Sequence, residues 1–81
     1  MHPLEEKIFD IGSIVYNEAQ EIFEYCEAES DFCIQTIGME SIVFGGTNRL
    51  IYNPKHGFFP DNNYCSDRFI KQFEIYKKDI N

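Results

Sequence analysis

The stretch GGTNRLIYNPKHGFFPDNNYC, residues 45–65, decides how this chain folds. Gly46-Thr47-Asn48 supplies residues that tolerate a positive φ, so a hairpin turn fits there. Residues 49–53, RLIYN, then read as a strand. From Pro54 to Cys65 the chain is dense in Pro, Gly, Asn and Asp, and it reads as an irregular loop bracketed by Pro54 and Pro60. Yet the stretch carries four rings, Tyr52, Phe58, Phe59 and Tyr64. Adjacent Phe58 and Phe59 cannot easily point the same way. One is expected to anchor the loop on the core and the other to be available for contact, because aromatics beside polar loop residues are frequent interface anchors.

Upstream, residues 41–45, SIVFG, and residues 32–37, FCIQTI, are rich in β-branched and aromatic types and read as two more strands, with a turn at Gly38. Further upstream, residues 3–29 read as one long helix. Pro3 suits a first helical position, and Glu5 and Glu6 suit the first turn. Leu4, Ile8, Ile11, Val15, Ala19, Ile22 and Cys26 recur every three or four residues, and Phe9, Ile14, Tyr16, Phe23 and Tyr25 widen the stripe. Gly12 weakens the interior by about 1 kcal/mol relative to Ala. A helix of this length would run roughly 40 Å, while a compact chain of this size has a radius of gyration of about 12 Å. The helix must therefore bend, protrude or pair with another copy.

Downstream, residues 66–80 read as a closing helix. Ser66 is its N-cap, Lys77 and Lys78 complement its last turn, and Phe69, Phe73, Tyr76 and Ile80 form its apolar stripe. The expected fold is α+β in the order α-β-β-β-α: one small domain spanning 1–81, with a three-stranded antiparallel meander packed by the long N-terminal helix and a C-terminal helix. Double-stranded-RNA-binding domains share that order. Their first helix is much shorter, and they carry a lysine cluster where this chain reads Ser66-Asp67-Arg68-Phe69, so their function is not carried over.

Charge narrows the function. The chain has 81 residues and a net charge of −7. Nine acids and one base fall in residues 1–31, against five acids and six bases in the rest. Such a surface argues against direct binding of nucleic acid, which needs basic residues to neutralise phosphates. No apolar run is long enough to cross a bilayer, and the N-terminus lacks the pattern of a secretory signal. With three unpatterned cysteines, this places the chain in the cytoplasm with its thiols reduced.

Chemistry-bearing motifs are sparse. Cys65, His56 and Asp61 supply the residue types of a thiol nucleophile, but no signature surrounds them. Cys26, Cys33, Cys65, His56 and His2 lack the close-set pairs of a zinc site. Cys26 and Cys33 read as small core residues. GGTN lacks the Lys-Ser/Thr of a phosphate loop. No enzyme activity, cofactor or metal is expected.

The acidic helix is the sharper feature. Glu24, Glu27 and Glu29 crowd its C-terminal end, where negative charge is locally unfavourable. A row of carboxylates on a rod can imitate the charge of nucleic acid and enter a basic groove. The expected function is a protein-interaction module: a small acidic inhibitor of a nuclease or other nucleic-acid-handling effector. It is similar in size and acidity to phage-encoded anti-CRISPR and anti-restriction proteins. The contact residues expected are Asp10, Glu18, Glu21, Glu24 and Glu27 for charge, with Phe58 and Phe59 as apolar anchors. The alternative is a homodimeric or hetero-oligomeric structural subunit assembled through the long helix.

Overall fold

The computed structural model describes residues 3–38 and 40–79, with side chains from residue 13 onward within that range. Helix α1 (Pro3–Tyr25) leads, through a short 3-10 turn (Glu29–Asp31), into strands β1 (Ile34–Ile37), β2 (Ile42–Gly45), β3 (Arg49–Asn53) and β4 (Gly57–Pro60), and helix α2 (Asp67–Asp79) closes the order. All strand pairs are antiparallel and follow the sequence, β1-β2-β3-β4. The expected α+β architecture is present, but the sheet has four strands and not three.

The fourth strand corrects the reading of residues 54–65 as loop. Tyr52 pairs with Phe58 and Ile51 with Phe59 across a tight turn. Asn53 makes that turn. Its side-chain oxygen accepts from the N–H of Lys55 at 2.8 Å and of His56 at 3.2 Å, and Gly57 takes the left-handed conformation at φ 75°. Three turn residues followed by a left-handed glycine are a common hairpin connection. Pro60 does not forbid the strand, because β4 is an edge and Pro60 is its last residue.

Helix α1 ends at Tyr25, four residues earlier than expected, and it ends by a Schellman motif. Glu27 adopts φ 58°. The N–H of Ala28 bonds to the carbonyl of Phe23 at 2.8 Å, and that of Glu27 to Glu24 at 3.1 Å. Ala28 and Phe23 are both buried, which supplies the apolar contact this cap favours. Glycine is the usual residue at the left-handed position. Here a glutamate holds it, at a strain cost on the order of 1 kcal/mol.

Both helices pack on one face of the sheet. Val15, Ala19, Ile22, Phe23 and Cys26 of α1 meet Ile42, Phe44, Leu50 and Phe58 of the sheet and Phe69, Phe73 and Tyr76 of α2 in one cluster. Rings run through it in contact. Phe23 lies 5.4 Å from Phe32 and 5.3 Å from Phe69, and Phe32 stacks on Phe44 at 5.9 Å. Such pairs add about 0.5–1.5 kcal/mol each beyond the area they bury. The buried stripe of α1 is narrower than the pattern suggested: Ile14 is 75% exposed, and Tyr16 and Tyr25 are exposed as well. Leu4, Ile8, Phe9 and Ile11 lie outside the described side chains, as does Ile80. Ser66 caps α2 as expected, its hydroxyl accepting from the N–H of Phe69 at 3.1 Å, a cap that contributes about 1 kcal/mol.

Candidate protein-interaction site

The predicted contact residues do not form one continuous surface. Glu21 and Glu24 stand exposed on the side of α1 opposite its buried stripe. Glu18 is half-buried on the flank toward α2, at the rim of a cleft of about 180 Å³. Glu27 has left the helix and pairs with Arg68 at the start of α2, both side chains remaining mostly exposed. An exposed pair of this kind contributes little to stability. Asp10 lies outside the described side chains. What remains of the predicted row is Glu21 and Glu24, with Glu18 beside them. Among the described residues Glu27–Arg68 is the one ion pair, so none of these three carboxylates is paired with a basic side chain. Their field is felt nearby: burial, with the charges of Glu21 and Glu18 after it, raises the Tyr76 hydroxyl above its ordinary range.

Strand geometry separates the two predicted anchors. Successive side chains of a strand point to opposite faces. Phe58 therefore enters the core, 6.3 Å from Phe44 and 4.8 Å from Tyr52, and at 8% exposure it offers a partner little surface. Phe59 faces the other way and is exposed. Sequence reasoning missed its company. The register aligns Thr36, Val43, Ile51 and Phe59 in a row across all four strands, on the face away from both helices. At one end of this face the Arg49 guanidinium lies 3.9 Å over the ring of Tyr64, itself half exposed. The Arg49 Nε is buried without a hydrogen-bond partner among the described residues. Alternation within β2, β3 and β4 was the signal for this row, and it is readable only once 57–60 is recognised as a strand.

The cleft between α1, α2 and the β3–β4 turn is floored by Tyr52, Phe58, Phe73 and Tyr76, with Glu18, His56 and Lys77 at its rim. Lys77 already places its ammonium 5.7 Å from the Phe73 ring. The cation that such rings attract is thus supplied from within the chain.

Cys65 and His56 are not arranged as a thiol nucleophile and its base. Cys65 donates to the Arg49 carbonyl at 3.0 Å and accepts from the Arg49 N–H at 3.4 Å. Burial raises its pKa, the opposite of what an activated thiol requires. His56 sits in the turn after β3, whereas Cys65 meets the first residue of that strand. Four residues of extended chain, roughly 13 Å, separate those ends. No cluster of three metal-ligating side chains occurs among the described residues. Cys26 is a core residue as expected, but Cys33 is not: it is exposed, with its thiol 3.4 Å from the Gly45 carbonyl. All three cysteines are free.

Burial, followed by the nearby Cys65, pushes the Cys26 thiol from 9.0 up to about 11. The folded chain thus holds this proton more tightly than the unfolded one. The stabilisation is fully present below the ordinary thiol pKa and is lost as pH rises from about 9 to about 11. Urea midpoints measured at pH 7, 9 and 10.5 should fall across that window. The fall should be shallower in Cys26→Ala, whatever that variant loses in packing at neutral pH. Equal slopes in the two proteins would assign the loss to other groups.

No protein-family model matches the chain, nor does any curated protein or solved structure. Among the described residues no helix is long and apolar enough to cross a membrane.

Proposed function

We propose that this chain is a non-enzymatic protein-binding module whose acidic α1 surface occupies a basic groove on a nucleic-acid-handling enzyme and inhibits it, in the manner of anti-restriction or anti-CRISPR proteins. The observation that carries this reading is the set of carboxylates on α1 without an ion-pair partner, Glu18, Glu21 and Glu24, in a chain of net charge −7. Bringing unpaired like charges together on one rigid element costs stability, and a basic partner would repay that cost on contact. A helix holds them in fixed spacing without ordering loops on binding, which keeps the entropic cost of association low.

Charge reversal tests it. Glu21→Lys combined with Glu24→Lys should weaken capture of basic-grooved nucleases, restriction or RNA-guided, at least about tenfold at low salt. The thermal midpoint should stay nearly unchanged, because both side chains are exposed. Raising salt should weaken capture by the native chain far more than by the variant. Inhibition that survives both reversals would remove the acidic surface from the mechanism.

A further inference from the structure

We infer that the cleft between α1, α2 and the β3–β4 turn is a binding site for a free amino acid with a single aromatic ring, phenylalanine or tyrosine in type. Small-molecule sites are concave and mostly apolar, with a few polar groups that converge on the ligand. This cleft has that composition. The rings of Tyr52, Phe58, Phe73 and Tyr76 make its floor, and Glu18, His56 and Lys77 stand at its rim. Size limits the occupant. At about 180 Å³ the cleft is below the usual range of drug-sized sites, about 300–1,000 Å³. An apolar cavity of about 150 Å³ admits benzene. One six-membered ring therefore fits on the floor, where rings offer edge-to-face and offset contacts, and the rest of the ligand lies at the rim.

Charge selects the head group. Glu18 comes from α1 and Lys77 from α2, and both line the cleft without pairing with each other. The Lys77 ammonium lies 5.7 Å from the Phe73 ring centroid, so the floor already has its cation. A purely anionic ligand would be repelled by Glu18, and a purely cationic one by Lys77. A zwitterion satisfies both. Its α-ammonium pairs with Glu18 and its α-carboxylate with Lys77, which bridges two unlike charges that do not reach each other. His56 adds a further hydrogen-bonding group at the rim. Hydrogen bonds between charged groups are roughly twice as strong as neutral ones. A residue within a peptide lacks at least one of the two head-group charges. The free amino acid is thus a better match than the side chain of a protein partner.

The rim sets the strength. Lys77 and His56 are exposed and Glu18 is half-buried, so water screens the head-group contacts and the ring supplies most of the affinity. A dissociation constant around 1 mM is expected for a ligand of this size. The cleft joins three elements that come together only in the folded chain, so the ligand should also raise the thermal midpoint.

An amide-resolved NMR titration of the intact chain with L-phenylalanine, to about 20 mM, tests this. Saturable shifts are expected at Ile22, Gly57 and Lys77, which line the cleft. L-Alanine keeps the head group without the ring and should bind at least about tenfold more weakly. 3-Phenylpropanoate and phenethylamine each keep the ring and one charge, and each should bind about fivefold more weakly than L-phenylalanine. Glu18→Gln should weaken L-phenylalanine about fivefold without weakening 3-phenylpropanoate, and Lys77→Met should weaken it as much without weakening phenethylamine. Neither side chain is buried, so both variants should fold. The absence of saturable shifts at the cleft overturns the inference. So does L-alanine binding as tightly as L-phenylalanine, either one-charge analogue matching it, or an affinity unchanged in both variants. The titration uses this chain alone, so its outcome is independent of whether the acidic surface binds an enzyme.

Discussion

Gly45→Ala is expected to remove about 2–6 kcal/mol of stability and to lower the thermal midpoint by about 10 °C or more. Gly45 ends β2 at φ 104°, in a conformation that side chains rarely adopt. A Cβ there would lie 2.0 Å from the Asn48 carbonyl oxygen and 2.8 Å from Cζ of Phe23. The first clash is with backbone inside the β2–β3 turn, which cannot yield without opening the hairpin. The second is with a ring that is itself fully buried. Backbone strain of about 1–3 kcal/mol and overpacking of about 1–3 kcal/mol act together. A chain of this size has about 5–15 kcal/mol of stability to lose. A cooperative thermal transition within a few degrees of the native chain's would show that the turn rearranges at low cost, and that Gly45 is a preference and not a requirement.

Phe23→Ala is expected to cost about 3–5 kcal/mol, the range for emptying a buried aromatic site. Phe23 is completely buried, touches the rings of Phe32 and Phe69, and lies against Gly45. Its ring touches α2, the segment before the sheet and the β2–β3 turn together. Its loss should appear as a lower urea midpoint with the slope retained. The two substitutions are in contact, so their effects should not add. Removing the ring relieves the 2.8 Å contact but leaves the Asn48 oxygen in place. The double variant should therefore be less destabilised than the sum, yet still less stable than Phe23→Ala alone. Full additivity would mean that the ring does not constrain residue 45.

These positions also show where the sequence could be read and where it could not. β3 was legible to the residue, because Gly46-Thr47-Asn48 and Pro54 punctuate a β-branched and aromatic run on both sides. The closing helix was legible from its Ser66 cap and its Phe69–Phe73–Tyr76 stripe. β4 was not. Four residues flanked by Gly and ending in Pro carry too little pattern, and the turn signal lies in the Asn53 side chain and the φ of Gly57. The end of α1 was missed for a related reason. Its cap is set by a left-handed Glu27 where a glycine would have announced it.

The interaction site divides along the same line. The excess of acid in α1 could be counted, and its exposure at Glu21 and Glu24 follows from helical spacing. That Glu27 would turn away to Arg68 depends on the cap and on α2, which lies forty residues further along the chain. The apolar row was hidden because it is a property of register. Val43, Ile51 and Phe59 are distant in sequence and become neighbours only through two successive hairpins.

Those hairpins have a kinetic consequence. Every strand pairs with its neighbour in sequence, so the sheet contains no long-range strand pairing. Hairpins form in about 1–10 µs, and such local contacts favour fast folding. Yet the sheet's inner face cannot dry until Phe69, Phe73 and Tyr76 arrive from α2. The rate-limiting event should therefore be the docking of α2 against α1 over an already fluctuating meander. Substitutions in α2 should slow folding more than substitutions of equal cost in the β1–β2 turn.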